Sequence, residues 1–173
     1  MPTASSPAQP TPSVPPTQPV PSTPPTQPTP SVPPTQAPKP PQLPAAAQLS
    51  VGGNALDNSY SVDKDGNLVG TYPVNHSPAQ LWRLEQASDG RYYLRNGSTN
   101  FTKVLDLDVA SGRIQVLTSP PGNDKQLWSF VQVPGGYEIV NSSTEQCLTS
   151  DGAAQWAKVQ ACSKADNQVW TVT

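Results

Sequence analysis

Several residue types that carry common protein chemistry are scarce in this chain. Its 173 residues include one His, two Cys and one Met, and 13% of them are charged. One His and two Cys cannot supply the four ligands of a structural zinc site. The charged residues form no basic run, which argues against a nucleic-acid partner, because phosphate binding needs clustered Lys and Arg. No stretch approaches the roughly 20 apolar residues that span a bilayer, so we expect no transmembrane segment.

Candidate catalytic and metal-binding groups are sparse as well. His76 lies in a predicted loop, where a solvated side chain is the usual interpretation. No Ser or Cys has the surroundings of a nucleophile. The segment from Asp63 to Asn67 weakly resembles a calcium loop, but its Gly comes early and no Glu closes it, so Asp65-Gly66 is better interpreted as a hairpin turn. The sequence therefore predicts no catalytic residue, no metal and no cofactor.

The first 50 residues lack Asp, Glu, Gly, Trp and Cys, and Lys39 is their one charged residue. Residues 1–44 hold 18 of the 23 prolines, and Pro-Pro-Thr-Gln begins at Pro15, Pro24 and Pro33. Such a sequence cannot bury a core, so residues 1–45 are predicted to be a disordered but stiff linker, largely polyproline II. We interpret it as a spacer. A docking site for a proline-binding domain is the alternative, and the Thr and Ser of the spacer are candidates for O-glycosylation.

The remainder of the chain contains a repeated triplet, Gln-x-Trp. The three copies are Gln80-Leu81-Trp82, Gln126-Leu127-Trp128 and Gln168-Val169-Trp170. Their Trp residues are 46 and 42 positions apart, and a fixed period of this length is typical of repeat architectures. Gly-containing turns separate short alternating runs, a pattern that favours an all-β protein. Alignment on the Trp residues gives three units of four strands, at about 46–87, 88–133 and 134–173.

With this triple motif, residues 46–173 resemble the ricin-type β-trefoil lectin domain. The resemblance implies a β-trefoil in which the three Trp residues are buried in equivalent places and each Gln braces the turn before it. It also implies a disulfide between Cys147 and Cys162, which fall where family members often carry one. A disulfide would indicate an oxidising compartment, so we expect a secreted or cell-surface protein. The residues after Met1 do not form a signal peptide, which leaves open a cytosolic protein or a mature form with an added Met.

The family's sugar sites combine an Asp on one strand, an aromatic residue on the next, and an Asn before Gln-x-Trp. These groups accept hydroxyl hydrogen bonds, stack on a pyranose face and donate an amide hydrogen bond. In the first repeat, Asp57 and Tyr72 match the first two positions. Ala79 replaces the Asn, and Asn75 is a substitute from the loop. This repeat is the best candidate for a binding site.

The other two repeats retain less of the pattern. Asp106 is present in the second repeat, and Asn167 in the third. The residues that replace the missing groups are Leu117 and Lys125 in the second repeat and Thr149 and Gln160 in the third. No repeat keeps the full set, so any sugar sites are expected to be weak and partly degenerate.

Trp156 is the one Trp outside the triplets. Ala157, Val159 and Ala161 are predicted to alternate inward, which places Trp156 on the outer face. There it is either a ligand platform, a contact for a protein partner, or a cover that folds back over the barrel. We treat it as a sixth candidate binding residue.

Two functions fit this pattern. The first is a secreted carbohydrate-binding module for a galactose-type or other saccharide, with weak sites that depend on avidity. The second is a non-catalytic, protein-binding subunit of a secreted toxin complex that contacts the target cell surface. It is similar to the trefoil subunits of cytolethal distending toxins, which also carry Pro-rich N-terminal segments. Its partners would be other toxin subunits or a tethered domain.

Overall fold

A computed structural model describes residues 42–118 and 122–173 of the protein. The predicted linker lies outside the described residues except for 42–45. Within these ranges the regular structure consists of β-strands and four short 3-10 turns. No helix in the described part of the chain is long and apolar enough to cross a membrane.

The strands follow the three predicted repeats in order. The first repeat contains β1 (Ala46–Ala47), β2 (Leu49–Val51), β3 (Asn54–Asn58), β4 (Asn67–Pro73) and β5 (Trp82–Gln86). The second contains β6 (Tyr92–Asn96), β7 (Lys103–Asp108), β8 (Arg113–Thr118) and β9 (Trp128–Val133). The third contains β10 (Gly136–Asn141), β11 (Cys147–Thr149), β12 (Gln155–Trp156), β13 (Lys158–Gln160) and β14 (Thr171–Val172). The 3-10 turns are Ser59–Ser61, Pro78–Gln80, Gly97–Thr99 and Asp124–Gln126.

These fourteen segments occupy twelve strand positions, because two strands are interrupted where they change partners. The first breaks at Gln48, whose N–H and C=O both bond to Thr173, at 2.7 and 3.1 Å. The other breaks at Ala157, which donates to the carbonyl of Val69 at 3.0 Å and accepts from the N–H of Ile114 at 3.2 Å. Three units of four strands therefore form the all-β trefoil that the sequence predicts.

Six strand positions close into a barrel. Hydrogen-bonded pairing runs from β1 to β5, β6, β9 and β10, and β14 returns to β2. A bridge between Tyr137 and Trp170 joins β10 to the start of the last strand. Three hairpins, β3–β4, β7–β8 and β11–β13, form the second layer, and neighbouring hairpins pair with one another. Closure leaves few unpaired strand edges.

The three repeated Trp side chains form the centre of the core. Trp82, Trp128 and Trp170 are completely buried. Each indole Nε1 donates to a backbone carbonyl on the second strand of its own repeat, at Leu56, Leu105 and Leu148, over 3.0, 3.1 and 2.9 Å. A buried indole N–H needs such an acceptor. The predicted burial of these residues in equivalent places is confirmed.

The Gln side chains brace the loop before each Trp in the first and third repeats. Oε1 of Gln80 accepts from the N–H groups of Asn75 and His76 at 2.9 and 3.2 Å, and its Nε2 donates to the carbonyl of Pro73 at 3.1 Å. Gln168 accepts from the N–H of Ser163 at 2.9 Å in the same way. The corresponding loop of the second repeat includes residues 119–121, which lie outside the described residues.

The disulfide implied by the resemblance is present. Cys147 and Cys162 are bonded, with their Cα atoms 5.0 Å apart. The bond ties β11 to the residues that follow β13. These two strands also pair directly, from Cys147 opposite Gln160 to Thr149 opposite Lys158. The disulfide therefore reinforces a hairpin of the third repeat.

Replacing Trp128 by Phe should destabilise the protein by about 2–4 kcal/mol. The change leaves the buried carbonyl of Leu105 without its donor and opens a cavity. Urea unfolding measures the loss. Val131→Ala, at an exposed position, is the control and should change stability by no more than about 0.5 kcal/mol. If Trp128→Phe lost no more stability than Val131→Ala, the role given to the indole N–H would be contradicted.

Reducing the disulfide should lower the free energy of unfolding by about 2–4 kcal/mol, because the broken loop regains chain entropy in the unfolded state. Urea unfolding with and without a phosphine reductant measures the effect. A Cys147→Ala, Cys162→Ala double variant should show no response to the reductant. An equal response from that variant would show that the reductant acts elsewhere.

Candidate functional site

A cleft of about 400 Å³ opens on the first repeat, where β3, β4 and β12 lie side by side. Asp57 on β3 is directly opposite Gly70 on β4, and Gly70 is directly opposite Trp156 on β12. The three residues therefore form one row across the strands, with their side-chain positions on the same face. The residues that line the cleft include Asp57, Tyr60, Tyr72, Asn75, Gln155 and Trp156.

Asp57 supplies the one carboxylate among the described residues that line the cleft. Its side chain is only 9% exposed. Burial raises the pKa of this carboxyl, and a side-chain hydrogen bond with Gln80 partly offsets that rise by lowering the pKa. The core sets its position, because the preceding residue, Leu56, accepts the hydrogen bond from Trp82.

Tyr72 and Asn75 also line the cleft. Tyr72 lies two residues after Gly70 on β4, so its side chain is on the same face of the strand, and half of it is exposed. Asn75 is fixed by Gln80, which accepts from its N–H, and its Oδ1 accepts from the N–H of Ser77 at 2.9 Å. Its Nδ2 group has no partner among the described residues and can donate to a ligand.

Tyr60 is a cleft residue that the sequence pattern does not predict. Its side chain is 92% exposed, and its backbone has a positive φ of 56°, an outlier for a bulky residue. Nδ2 of Asn67 holds the turn by donating to Oδ1 of Asn58 at 2.8 Å and to the carbonyl of Ser59 at 2.9 Å. An aromatic residue in a loop belongs to no alternating strand pattern, so periodicity cannot mark it as a site residue. The only available sign was its position three residues after Asp57.

Trp156 reaches the cleft from the third repeat. It is 42% exposed, which confirms the predicted outward position. Gly70 permits its approach: a Cβ at Gly70 would lie 2.6 Å from the carbonyl oxygen of Gln155 and 3.5 Å from Cε3 of Trp156. The predicted inward alternation holds for Ala157, which is buried, and partly for Val159. It is wrong for Ala161, which is exposed because β13 ends at Gln160.

The matching position of the second repeat is closed. Asp106 is only 2% exposed. It stands opposite Gln115, as Asp57 stands opposite Gly70, and Nε2 of Gln115 donates to its Oδ1 at 2.9 Å. A side chain thus bonds to the carboxylate in the second repeat, whereas Gly70 has no side chain to do so in the first. The structure does not bring Asp106 to the candidate cleft.

The third repeat is closed as well. Thr149 takes the place of the acid and is completely buried, with its hydroxyl donating to the carbonyl of Cys147 and accepting from Nε2 of Gln168, both at 2.9 Å. Asn167 is exposed on a separate shallow surface, where its Nδ2 donates to the carbonyl of Ser150 at 3.1 Å. Of the six candidate residues, Asp57, Tyr72, Asn75 and Trp156 therefore share one cleft, whereas Asp106 and Asn167 lie elsewhere.

Comparison with known proteins agrees with this architecture. The family model for the ricin-type β-trefoil lectin domain matches residues 48–170. The chain belongs to this family. No curated protein sequence matches it significantly.

Solved structures share the fold. A designed three-fold symmetric protein, ThreeFoil, has a TM-score of 0.68 and 26% identity, over 75% of this chain and 98% of that one. The Haemophilus ducreyi cytolethal distending toxin has a TM-score of 0.63 and 16% identity, over 80% and 90%. SeviL bound to asialo-GM1 saccharide has a TM-score of 0.59 and 16% identity, over 75% and 96%. The two neighbours at 16% identity establish similarity of fold alone.

Asp57→Asn should raise the stability of the free protein at neutral pH. A carboxyl whose pKa is raised on folding disfavours the folded state wherever it is ionised, so an uncharged amide removes that penalty. The gain should be present at pH 7 and vanish as the pH falls towards about 3.9, the pKa of an unfolded Asp. Urea unfolding midpoints across this range measure it.

The matched comparison is Asp108→Asn, which should have the opposite sign. A hydrogen bond from Ser111 lowers the pKa of Asp108, so its ionised form favours the folded state at neutral pH. This variant should lose stability at pH 7, and the loss should disappear in acid. Equal behaviour of the two variants would contradict the account of Asp57.

Proposed function

We propose that this chain is an extracellular, non-catalytic carbohydrate-binding module whose working site is the cleft of the first repeat. One observation carries the proposal: an acceptor, an aromatic face and an unpartnered amide converge there, at Asp57, Tyr72 and Asn75. These are the three kinds of group that a shallow saccharide site requires. The family supports a saccharide as the class of ligand, galactose-type or other.

Each group has a distinct task in binding. The ionised carboxylate of Asp57 accepts hydrogen bonds from sugar hydroxyls, and its partial burial strengthens them. The ring of Tyr72 packs against the apolar C–H face of a pyranose. Nδ2 of Asn75 donates to a hydroxyl oxygen, and Gln80 holds the loop that carries it.

A single open site of this kind binds weakly. The second and third repeats are closed by Gln115 and by buried Thr149, so avidity must come from several copies or from attachment to another domain. The disulfide supports an oxidising, extracellular location. In this proposal the Pro-rich residues 1–45 are the spacer that holds the module away from whatever it is attached to.

The alternative is a protein-binding subunit of a secreted toxin complex that contacts the target cell surface. The observation in its favour is the nearly complete exposure of Tyr60 beside Tyr72 and Trp156, because aromatic residues are enriched at protein interfaces. Similarity of fold to the cytolethal distending toxin is consistent with this function. Both functions would use the same face of the molecule.

A glycan array with the full chain tests the proposal. At least one saccharide should bind, and Asp57→Ala should weaken that binding about 10- to 100-fold, because it removes charge-assisted hydrogen bonds worth about 1.5–3 kcal/mol. Tyr72→Ala should weaken it about 3- to 10-fold through the loss of stacking.

The control is Asp106→Ala, the same change in the second repeat. It should leave the affinity of the folded protein unchanged, because Asp106 is buried against Gln115. Binding that survives Asp57→Ala and is lost with Asp106→Ala would contradict the proposed site. An array without any bound glycan would favour the protein-binding alternative.

A further inference from the structure

The third repeat contributes a fixed wall to the cleft of the first. β12 is bound to β4 by the backbone on both sides of Trp156: the N–H of Ala154 donates to Thr71 at 2.7 Å, and that of Ala157 donates to Val69 at 3.0 Å. The hydroxyl of Thr71 also donates to the carbonyl of Gly152 at 2.6 Å. The backbone on both sides of Trp156 is therefore held to β4 by main-chain hydrogen bonds.

The middle of the row that contains Trp156 is filled from β12, because a Cβ at Gly70 would lie 2.6 Å from the carbonyl oxygen of Gln155. Strands in a sheet lie about 4.8 Å apart, so the backbones at Asp57 and Trp156 are separated by about 10 Å. Gly70 lies between them without a side chain, and the Trp156 ring leans towards it, with Cε3 only 3.5 Å from the position of a Gly70 Cβ. The indole therefore forms the wall of the cleft that faces Asp57 across Gly70.

Tyr72 and Trp156 lie at different positions along this surface. Tyr72 is two residues beyond Gly70 on β4, a diagonal neighbour of Trp156, and such neighbours are about 7–8 Å apart. Asp57 lies at the same diagonal distance from Tyr72, which the hydroxyls at the edge of one stacked pyranose can span, whereas the ring itself cannot stack on Tyr72 and Trp156 together. The two aromatic faces therefore suit consecutive sugar residues better than two sides of one.

The charge of the cleft restricts the kind of saccharide. Asp57 carries its one carboxylate, and no Lys, Arg or His is found among the described residues that line it. A sugar that carries a carboxylate or sulfate would be repelled by Asp57 and would find no cation to pair with.

We propose that the cleft binds a neutral oligosaccharide of at least two sugar residues, the first on Asp57 and Tyr72 and the second on Trp156. The inference rests on the proposed function of this cleft and adds to it the minimum length and the charge class of the ligand. Tyr60, at the rim, is available to the same chain of sugars. The site is thus shared between the first and third repeats.

Titration of the full chain with matched saccharides tests the length. The probes are galactose, glucose, mannose and N-acetylglucosamine, each paired with a disaccharide: lactose, cellobiose, mannobiose and chitobiose. For the pair that binds, the disaccharide should bind about ten-fold more tightly than the monosaccharide. Trp156→Ala should abolish most of that advantage and change the monosaccharide affinity by less than about two-fold, because one lost stacking contact accounts for about a ten-fold effect.

Intrinsic fluorescence supplies a second readout. Of the four Trp residues, Trp156 alone is exposed, and the other three are completely buried. The disaccharide should therefore alter the emission of the wild-type protein, whereas the monosaccharide should alter it much less. The disaccharide should have no effect on emission from Trp156→Phe, in which the three buried Trp residues also report that the fold is intact.

Val109→Ala is the control, because Val109 is exposed three residues after Asp106, as Tyr60 is after Asp57. It should bind both saccharides normally. Equal affinity for the monosaccharide and the disaccharide would overturn the second sugar position on Trp156, while the proposed function would stand. The same holds if Trp156→Ala weakened the binding of both saccharides equally. Tighter binding of sialyllactose than of lactose would overturn the neutral class. Failure of every saccharide would remove the proposed function and this inference together.

Discussion

The hydrogen bond from each buried indole to a leucine carbonyl is the interaction on which this structure depends. It joins the start of the fourth strand in each repeat to the second strand, through Trp82, Trp128 and Trp170. Water cannot reach these N–H groups, so the partner strand must supply the acceptor. The residue after each acceptor is Asp57, Asp106 or Thr149, and the core bond therefore sets the position of all three potential sugar sites.

The residue across the strand decides which site is open. Gly70 faces Asp57, Gln115 faces Asp106 and Lys158 faces Thr149. Gln115 bonds to the carboxylate that it faces, whereas Gly70 has no side chain that could bond to Asp57 and lets β12 approach. One fold repeated three times thus leaves the candidate cleft in the first repeat, and the burial that raises the pKa of Asp57 is a cost in stability that accompanies that cleft.

The fold could be predicted from the sequence because the spacing of Gln-x-Trp reports a periodic constraint, and the resemblance it carries also located the disulfide at Cys147 and Cys162. Asp57, Tyr72 and Asn75 could be chosen by position within one repeat. Trp156 could be placed on the outer face by alternation. Its arrival beside Gly70 could not be predicted, because that pairing joins different repeats.

Other features of the cleft depend on tertiary register in the same way. The burial of Asp106 follows from Gln115 on the neighbouring strand, and its own sequence context is nearly that of Asp57. Tyr60 is displayed by a turn with positive φ that Asn67 holds from β4. The alternation rule failed at Ala161, where the strand had already ended.

The central claim is that ligand binds at the junction of β3, β4 and β12. Nuclear magnetic resonance of the full chain, titrated with the tightest-binding glycan from the array, tests it most directly. The backbone amides of Gly70 and Tyr72 and the indole N–H of Trp156 should shift, while the indole N–H signals of Trp82, Trp128 and Trp170 stay fixed. Shifts confined to the strands around Asp106, or to the surface around Asn167, would contradict the account.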